Sequence, residues 1–239
     1  MEVRQAEPLP VGVLMIALPP VIREGLQSIL KKDEKIKVVG DVPNEHQAIE
    51  QIIQANKMGQ PVKVVLTETR SGNVDGVQAI RAVKQVFPGI CALVLTENLN
   101  DSYVIDTIDA GADGFIFLKD MSPEMLLQTI HRVVDGGTQM KAELRRSAVE
   151  TLIQNSRKTL AERTAGAASL TEREVDVLRL MGNGDTNKLI AEKLGITMDT
   201  TKKHVREVIV KLNARSRAKA AIIAAQMGLV GKPVTVTQA

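Results

Sequence analysis

Five short apolar, β-branched runs, VGVLMIA, KVVGDV, VKVVLT, ICALVLT and DGFIFL, alternate with helix-patterned segments over residues 11–139. Strands with so little polar alternation are buried on both faces, which calls for a parallel sheet with helices on either side. The segments near 21–30, 45–56, 77–86, 101–109 and 123–134 carry helical periodicity. The expected fold is therefore α/β, a (βα)5 doubly wound domain, whose site lies beyond the carboxyl ends of the strands. Those ends are residues 17–20, 68–72, 96–98 and 119–121.

A chain of 239 residues with 44% apolar content has room for a second domain. Its single cysteine, Cys91, sits in an apolar run and reads as a core residue, which fits a reducing compartment. No apolar run approaches the roughly 20 residues that cross a bilayer. The opening MEVRQAEPLP lacks the apolar stretch of a signal peptide, so a soluble, cytosolic protein with no membrane partner is expected. The net charge of +3 is unevenly placed: from Leu170 onward 12 Lys and Arg stand against 7 Asp and Glu. Between Asp199 and Lys219 there are 7 basic and 2 acidic residues, a local excess suited to nucleic acid.

That basic region reads as four short helices over residues 170–230. Thr171 and Glu174 form a capping box, and the glycines at 182 and 184 end the first helix. Thr186 caps NKLIAEKL, Gly195 supplies a tight turn before Thr197, and Ser216 opens RAKAAIIAAQM. In the third helix Val205, Val208, Ile209 and Leu212 recur at i, i+3, i+4 and i+7 and anchor one face, with Thr201 beside them. Lys202, Lys203 and Arg206 project from the other side, and a helix presenting that face fits a DNA major groove. A merely solvated basic face is the alternative this helix alone leaves open. The last helix is apolar over more of its circumference than one core stripe requires, which suggests a dimer contact.

The run LTEREVDVLRLMGNGDTNKLIAEKLGITMDTTKKHVREVIVKLNARSRAKAAIIAAQMGLV resembles the LuxR-type helix-turn-helix of NarL/FixJ regulators along its whole length. The resemblance implies double-stranded DNA as partner and a homodimer matching a two-fold operator. Base contacts are then expected from Lys202, Lys203 and Arg206, and phosphate contacts from Thr186, Asn187, Lys188, His204, Lys211, Arg215 and Arg217. Leu189, Thr201 and Lys203 depart from the usual pattern, so the operator read is not a family consensus.

PPVIREGLQSIL, VDGVQAIRAV, LVLTENLNDSYVIDTIDAGADGF and LKDMSPEMLLQTI resemble the receiver domain of the same regulators. A working receiver binds Mg²⁺ with an acidic pair after its first strand and carries the phosphoryl group on an Asp after its third. Here the pair is Ala17 and Leu18, and the acceptor position is Glu68. A methyl and an isobutyl group offer a hard cation nothing. Thr96 and Lys119 survive. FIFLK is one residue longer than the usual pattern, so the resemblance assigns the aromatic-switch position to neither Phe115 nor Phe117. Two readings of Glu68 are open: it offsets Lys119 in a retired pocket, or it imitates the phosphorylated state through a charge-assisted hydrogen bond to Lys119.

Residues 1–10 are expected to form an arm, 11–139 the receiver-like domain, 140–169 a linker helix and hinge, 170–230 the helix-turn-helix, and 231–239 a tail. His46, His131 and His204 lie far apart without metal-ligand spacing, and Gly72, Gly76 and Gly111 form no phosphate-cradling run, so no metal or cofactor is expected. No nucleophile-elbow motif appears, and an enzymatic reading finds no convergent polar site. The sequence favours a phosphorylation-independent transcriptional regulator. Its alternative is an interaction module with secondary DNA binding, and the candidate further partners are RNA polymerase and a regulatory protein or ligand at the receiver-like domain.

Overall fold

The computed structural model describes residues 9–68, 70–71, 74–97, 102–137 and 170–231. The expected linker helix and hinge, most of the arm and most of the tail lie outside these residues.

Strands β1 (Val11–Ile16), β2 (Ile36–Val42), β3 (Val62–Glu68), β6 (Cys91–Thr96) and β7 (Gly114–Phe117) form one parallel sheet in the order β2-β1-β3-β6-β7. β1 and β3 are sequence-distant neighbours at the centre, where the chain order reverses and the open end of such a sheet offers a site. Helices α1 (Pro20–Leu30), α2 (Glu45–Lys57), α3 (Gly76–Val86), α4 (Ser102–Ala110) and α5 (Pro123–Val134) cover both faces. Leu14, Val65, Val94, Phe115 and Phe117 face one cluster with Ile52, Ile80 and Ile108. Met15, Leu66, Leu93 and Ile116 face the other, with Leu26 and Ile130. The side chains of Asn44, Asp75 and Ser122 cap α2, α3 and α5. A short antiparallel pair, β4 (Arg70–Ser71) with β5 (Val74–Asp75), stands where the sequence reads only as a loop.

The C-terminal unit contains α6 (Glu172–Gly182), α7 (Asn187–Leu194), α8 (Met198–Lys211) and α9 (Arg217–Gln226). The capping box of Thr171 and Glu174 is formed, and Thr186, Thr197 and Ser216 each accept a backbone N–H at the start of α7, α8 and α9. Gly195 closes α7 with φ +62°, the left-handed conformation that turns the chain into α8. Val177, Leu178, Met181, Ile190, Leu194, Val205 and Val208 form its core.

This unit docks on the receiver at the amino end of the strands. The Ser216 hydroxyl donates to the Ala112 carbonyl (2.9 Å), and the Lys219 ammonium pairs with Asp109. The Asn187 N–H donates to the Asp135 carbonyl at 3.1 Å, and Arg132 donates to the Gly184 carbonyl at 3.3 Å. Ile222 of α9 belongs to the receiver's own apolar cluster. Gly136, at φ +80°, lies so close to Asn187 that a Cβ there would meet its Nδ2 at 2.3 Å. The apolar circumference of α9 is thus accounted for by α6 on one side and the receiver on the other. The free dimer face expected from the sequence is covered in this conformation.

Next to the dock, Lys84 and Asp113 form a buried ion pair at 2.5 Å, and Asp113 also accepts from the Ala92 N–H. Removing one member leaves the other charged and desolvated. Asp113→Ala is expected to destabilise the receiver by about 3–5 kcal/mol, read from urea unfolding; a loss well under about 1 kcal/mol would mean that the Lys84 ammonium finds water instead.

Candidate nucleic-acid interface and receiver pocket

The basic face of α8 stands clear of the dock. Val205 and Val208 bury the opposite stripe, while Lys202, Lys203 and Arg206 are exposed. Lys202 lies 3.9 Å from Asp199 and Lys203 lies 4.0 Å from Glu207. Such loose, solvated pairs are worth little and leave both lysines available to a stronger anion. Val210, 71% exposed, continues the same face one turn on from Arg206.

The flanking residues divide. Lys188 and Arg215 are exposed, and Thr186 spends its hydroxyl oxygen on the Leu189 N–H. His204 is half-buried beside Glu207 at 3.4 Å. Asn187 is half-buried in the dock, its side-chain oxygen accepting from Arg217 at 3.1 Å. Arg217 departs from the expectation that it meets a phosphate. It is 6% exposed, donates to the Asp185 carbonyl at 2.6 Å, and burial pushes its pKa down to about 10 against the opposing charges of Asp113, Asp185 and Cys91. In this conformation it is an internal tie between α7 and α9.

Lys211 also has an internal duty. Its ammonium pairs at 2.7 Å with Glu174, which the Thr171 N–H and hydroxyl also contact. Burial pushes the Glu174 pKa up, but the hydrogen bonds from Lys211 and Thr171 outweigh it and hold the carboxyl below its ordinary value. Lys211→Ala is therefore not a clean probe of phosphate contact, since it also strips a buried carboxylate of its partner.

At the carboxyl ends of the strands, Ala17 adopts φ +54° and donates its N–H to the Val42 carbonyl at 2.8 Å. Leu18 is buried with the residues of α1 and α5. Glu68 ends β3, half-buried, and burial followed by the charge of Glu97 raises its pKa. Thr96 is buried at the end of β6. Lys119 is exposed in a 3-10 turn, Leu118–Asp120, and does not bond Glu68, contrary to one of the two sequence readings. The turn carries the ammonium outward, and no charge-assisted bond between the two forms. Among the described residues no cluster of His, Cys, Asp or Glu is placed to hold a metal ion, and no helix is long and apolar enough to cross a membrane.

Sequence reasoning missed the dock. Its one available signal was a lysine and an arginine, Lys219 and Arg217, inside an otherwise Ala- and Ile-rich helix.

The Glu174 network makes a prediction with a sign. A carboxylate whose folded pKa lies below its unfolded value near 4.5 contributes stability above that value and loses it as pH falls through the folded pKa. The helical unit should therefore lose stability on acidification below pH 4.5. In Lys211→Ala, where burial dominates, that loss should flatten or reverse and stability near neutrality should fall. Identical acid dependence in both proteins, followed by the amide signals of α6 and α8 during urea unfolding, would contradict the pairing.

The family model for the response regulator receiver domain matches residues 13–131, and that for bacterial regulatory proteins of the luxR family matches residues 168–224. The chain is 32% identical over 212 residues to the transcriptional regulatory protein LnrK of Bacillus subtilis (strain 168), covering 87% of this chain and 94% of LnrK. It is 34% identical over 217 residues to the nitrate/nitrite response regulator protein homolog of Haemophilus influenzae (strain ATCC 51907 / DSM 11121 / KW20 / Rd), covering 88% and 94%. A solved structure of the RcsB response regulator of Salmonella typhimurium shares the fold at a TM-score of 0.50 and 20% identity, covering 90% of this chain and 99% of that one. Two family models in this order, together with relatives matched almost end to end, make the chain a member of the NarL/FixJ-type response regulators, a receiver domain followed by a LuxR-type helix-turn-helix domain.

Proposed function

We propose that this response regulator is a sequence-specific transcriptional regulator that reads double-stranded DNA through Lys202, Lys203 and Arg206 and acts without Asp phosphorylation. The observation that carries the reading is the exposed basic face of α8, held rigid by a buried stripe and left free by the dock. Lys188 and Arg215 lie exposed beside it as candidate phosphate contacts, with Thr186 and His204 at its flanks. DNA-bound dimerisation through α9 requires the dock to open, because Ser216, Lys219 and Ile222 now face the receiver.

The receiver pocket supports the second half of the proposal. Mg²⁺ keeps an octahedral oxygen shell, and Ala17 and Leu18 supply no side-chain oxygen to it. The residues present do not fit the ion. Glu68 stands at the acceptor position with a raised pKa, and among the described residues it makes no bond to Lys119, which argues against an imitation of the phosphorylated state through that pair.

Arg206→Ala should weaken binding to a selected operator by about 1–3 kcal/mol while changing affinity for random duplex little, as read by fluorescence anisotropy. Equal losses on both would remove Arg206 from base reading. Incubation with acetyl phosphate and Mg²⁺ should leave the intact mass unchanged. A stoichiometric gain of one phosphoryl group, with tighter operator binding, would show a working pocket and overturn the second half of the proposal.

A further inference from the structure

Beside the retired pocket, between the carboxyl ends of β1 and β2 and the start of α1, lies a cleft of about 290 Å³. That is near the lower end of small-molecule sites, roughly 300 Å³ upward. Its walls are apolar, made by Leu18, Pro19, Val42 and Pro43, and its polar groups are a single pair of opposite charges, Arg23 and Asp41, 2.8 Å apart.

The pair is not saturated. Arg23 donates to Asp41 through Nη1 alone, and Asp41 accepts through Oδ2 alone, although a guanidinium has five N–H donors and a carboxylate about four acceptor sites. Both side chains keep some contact with solvent, 34% and 24% exposed. The start of α1 also lies at the rim: Pro20 opens the helix after Pro19 with no side-chain cap and no acidic residue in its first turn, so the positive end of the helix dipole lies at this side. The floor is Ala17, a non-glycine residue in the left-handed region at φ +54°, a form of strain that gathers at ligand clamps.

A simple anion would be drawn to Arg23 and repelled by Asp41, and a simple cation the reverse. A small zwitterion meets both, and the apolar walls ask for an aliphatic body. We propose that this cleft binds a small aliphatic amino acid, its carboxylate on Arg23 and the start of α1, its ammonium on Asp41, and its side chain against Leu18, Val42 and Pro43. Occupancy places a ligand one strand away from the position where a working receiver would be phosphorylated. The site does not depend on how α8 reads DNA, so its test uses the full chain without DNA.

Isothermal titration of the full chain with L-leucine and L-valine, paired with ¹H–¹⁵N spectra, tests the assignment. Saturable binding is expected, with shifts at the amides of Ala17, Leu18 and Val42. Affinity should fall at least about tenfold for leucinamide, which lacks the carboxylate, for 4-methylpentanoate, which lacks the ammonium, and for glycine, which lacks the side chain. Asp41→Asn should lose the preference for leucine over 4-methylpentanoate while keeping its folded spectrum. If that variant does not fold, the analogue series on the unaltered protein decides alone. No binding of either amino acid at about 10 mM, a Kd equivalent to about 2.7 kcal/mol of standard free energy, overturns the proposal. So does equal affinity for 4-methylpentanoate, or shifts confined to another surface.

Discussion

A parallel sheet covered on both faces has no solvent-facing side, and the architecture here follows from that constraint. The strands of this chain are near-continuous apolar runs because helices lie above and below them. Polar chemistry is thereby confined to the two ends of the sheet. At the carboxyl end stand Ala17, Leu18, Glu68 and Thr96, with the Arg23–Asp41 cleft beside them. At the amino end the loops after α4 and α5 receive the helical unit. The fold keeps what a receiver offers, a block with two distinct ends.

The dock is polar, and that decides how it can behave. Its contacts are a hydroxyl to a carbonyl, an ammonium to a carboxylate, a backbone N–H and a guanidinium, around one inserted isoleucine. Interfaces between domains that rely on such groups resemble transient protein contacts, since water can replace each bond when the surfaces part. Gly111, at φ +118°, sits between the Lys84 stem and the Arg215 carbonyl, so the buried pair of Lys84 and Asp113 lies directly under the contact. Arg217, ringed by Asp113 and Asp185 charges, is the matching group from the helical side.

How much of this was legible in the sequence depended on whether a signal was local. The five strands were, because burial on both faces writes itself into each run. So were the starts of α6 to α9, because Thr171, Thr186, Thr197 and Ser216 cap through their own side chains a few residues away. The exposed face of α8 followed from spacing alone. The role of Arg217 did not: a basic residue near a recognition helix looks like a phosphate contact until a second surface, from residues a hundred positions away, encloses it. Lys219 and its partner Asp109 are separated in the same way. A bond between Lys119 and Glu68, one of two readings the sequence left open, does not form: Lys119 lies exposed in the 3-10 turn at Leu118–Asp120, and no sequence period announces such a turn. At Leu18 the reverse held. An apolar residue stood out in the sequence by its own chemistry, and the structure buries it among the residues of α1 and α5.

The central claim is that three side chains of one helix direct this protein to particular DNA sequences. Genome-wide chromatin capture of the tagged protein, alongside the Lys202→Ala, Lys203→Ala, Arg206→Ala triple variant at equal abundance, tests it most directly. The account predicts discrete sites sharing a two-fold sequence motif for the unaltered protein and their loss in the variant. An absence of enriched sites, or the same sites bound without the three side chains, would contradict it.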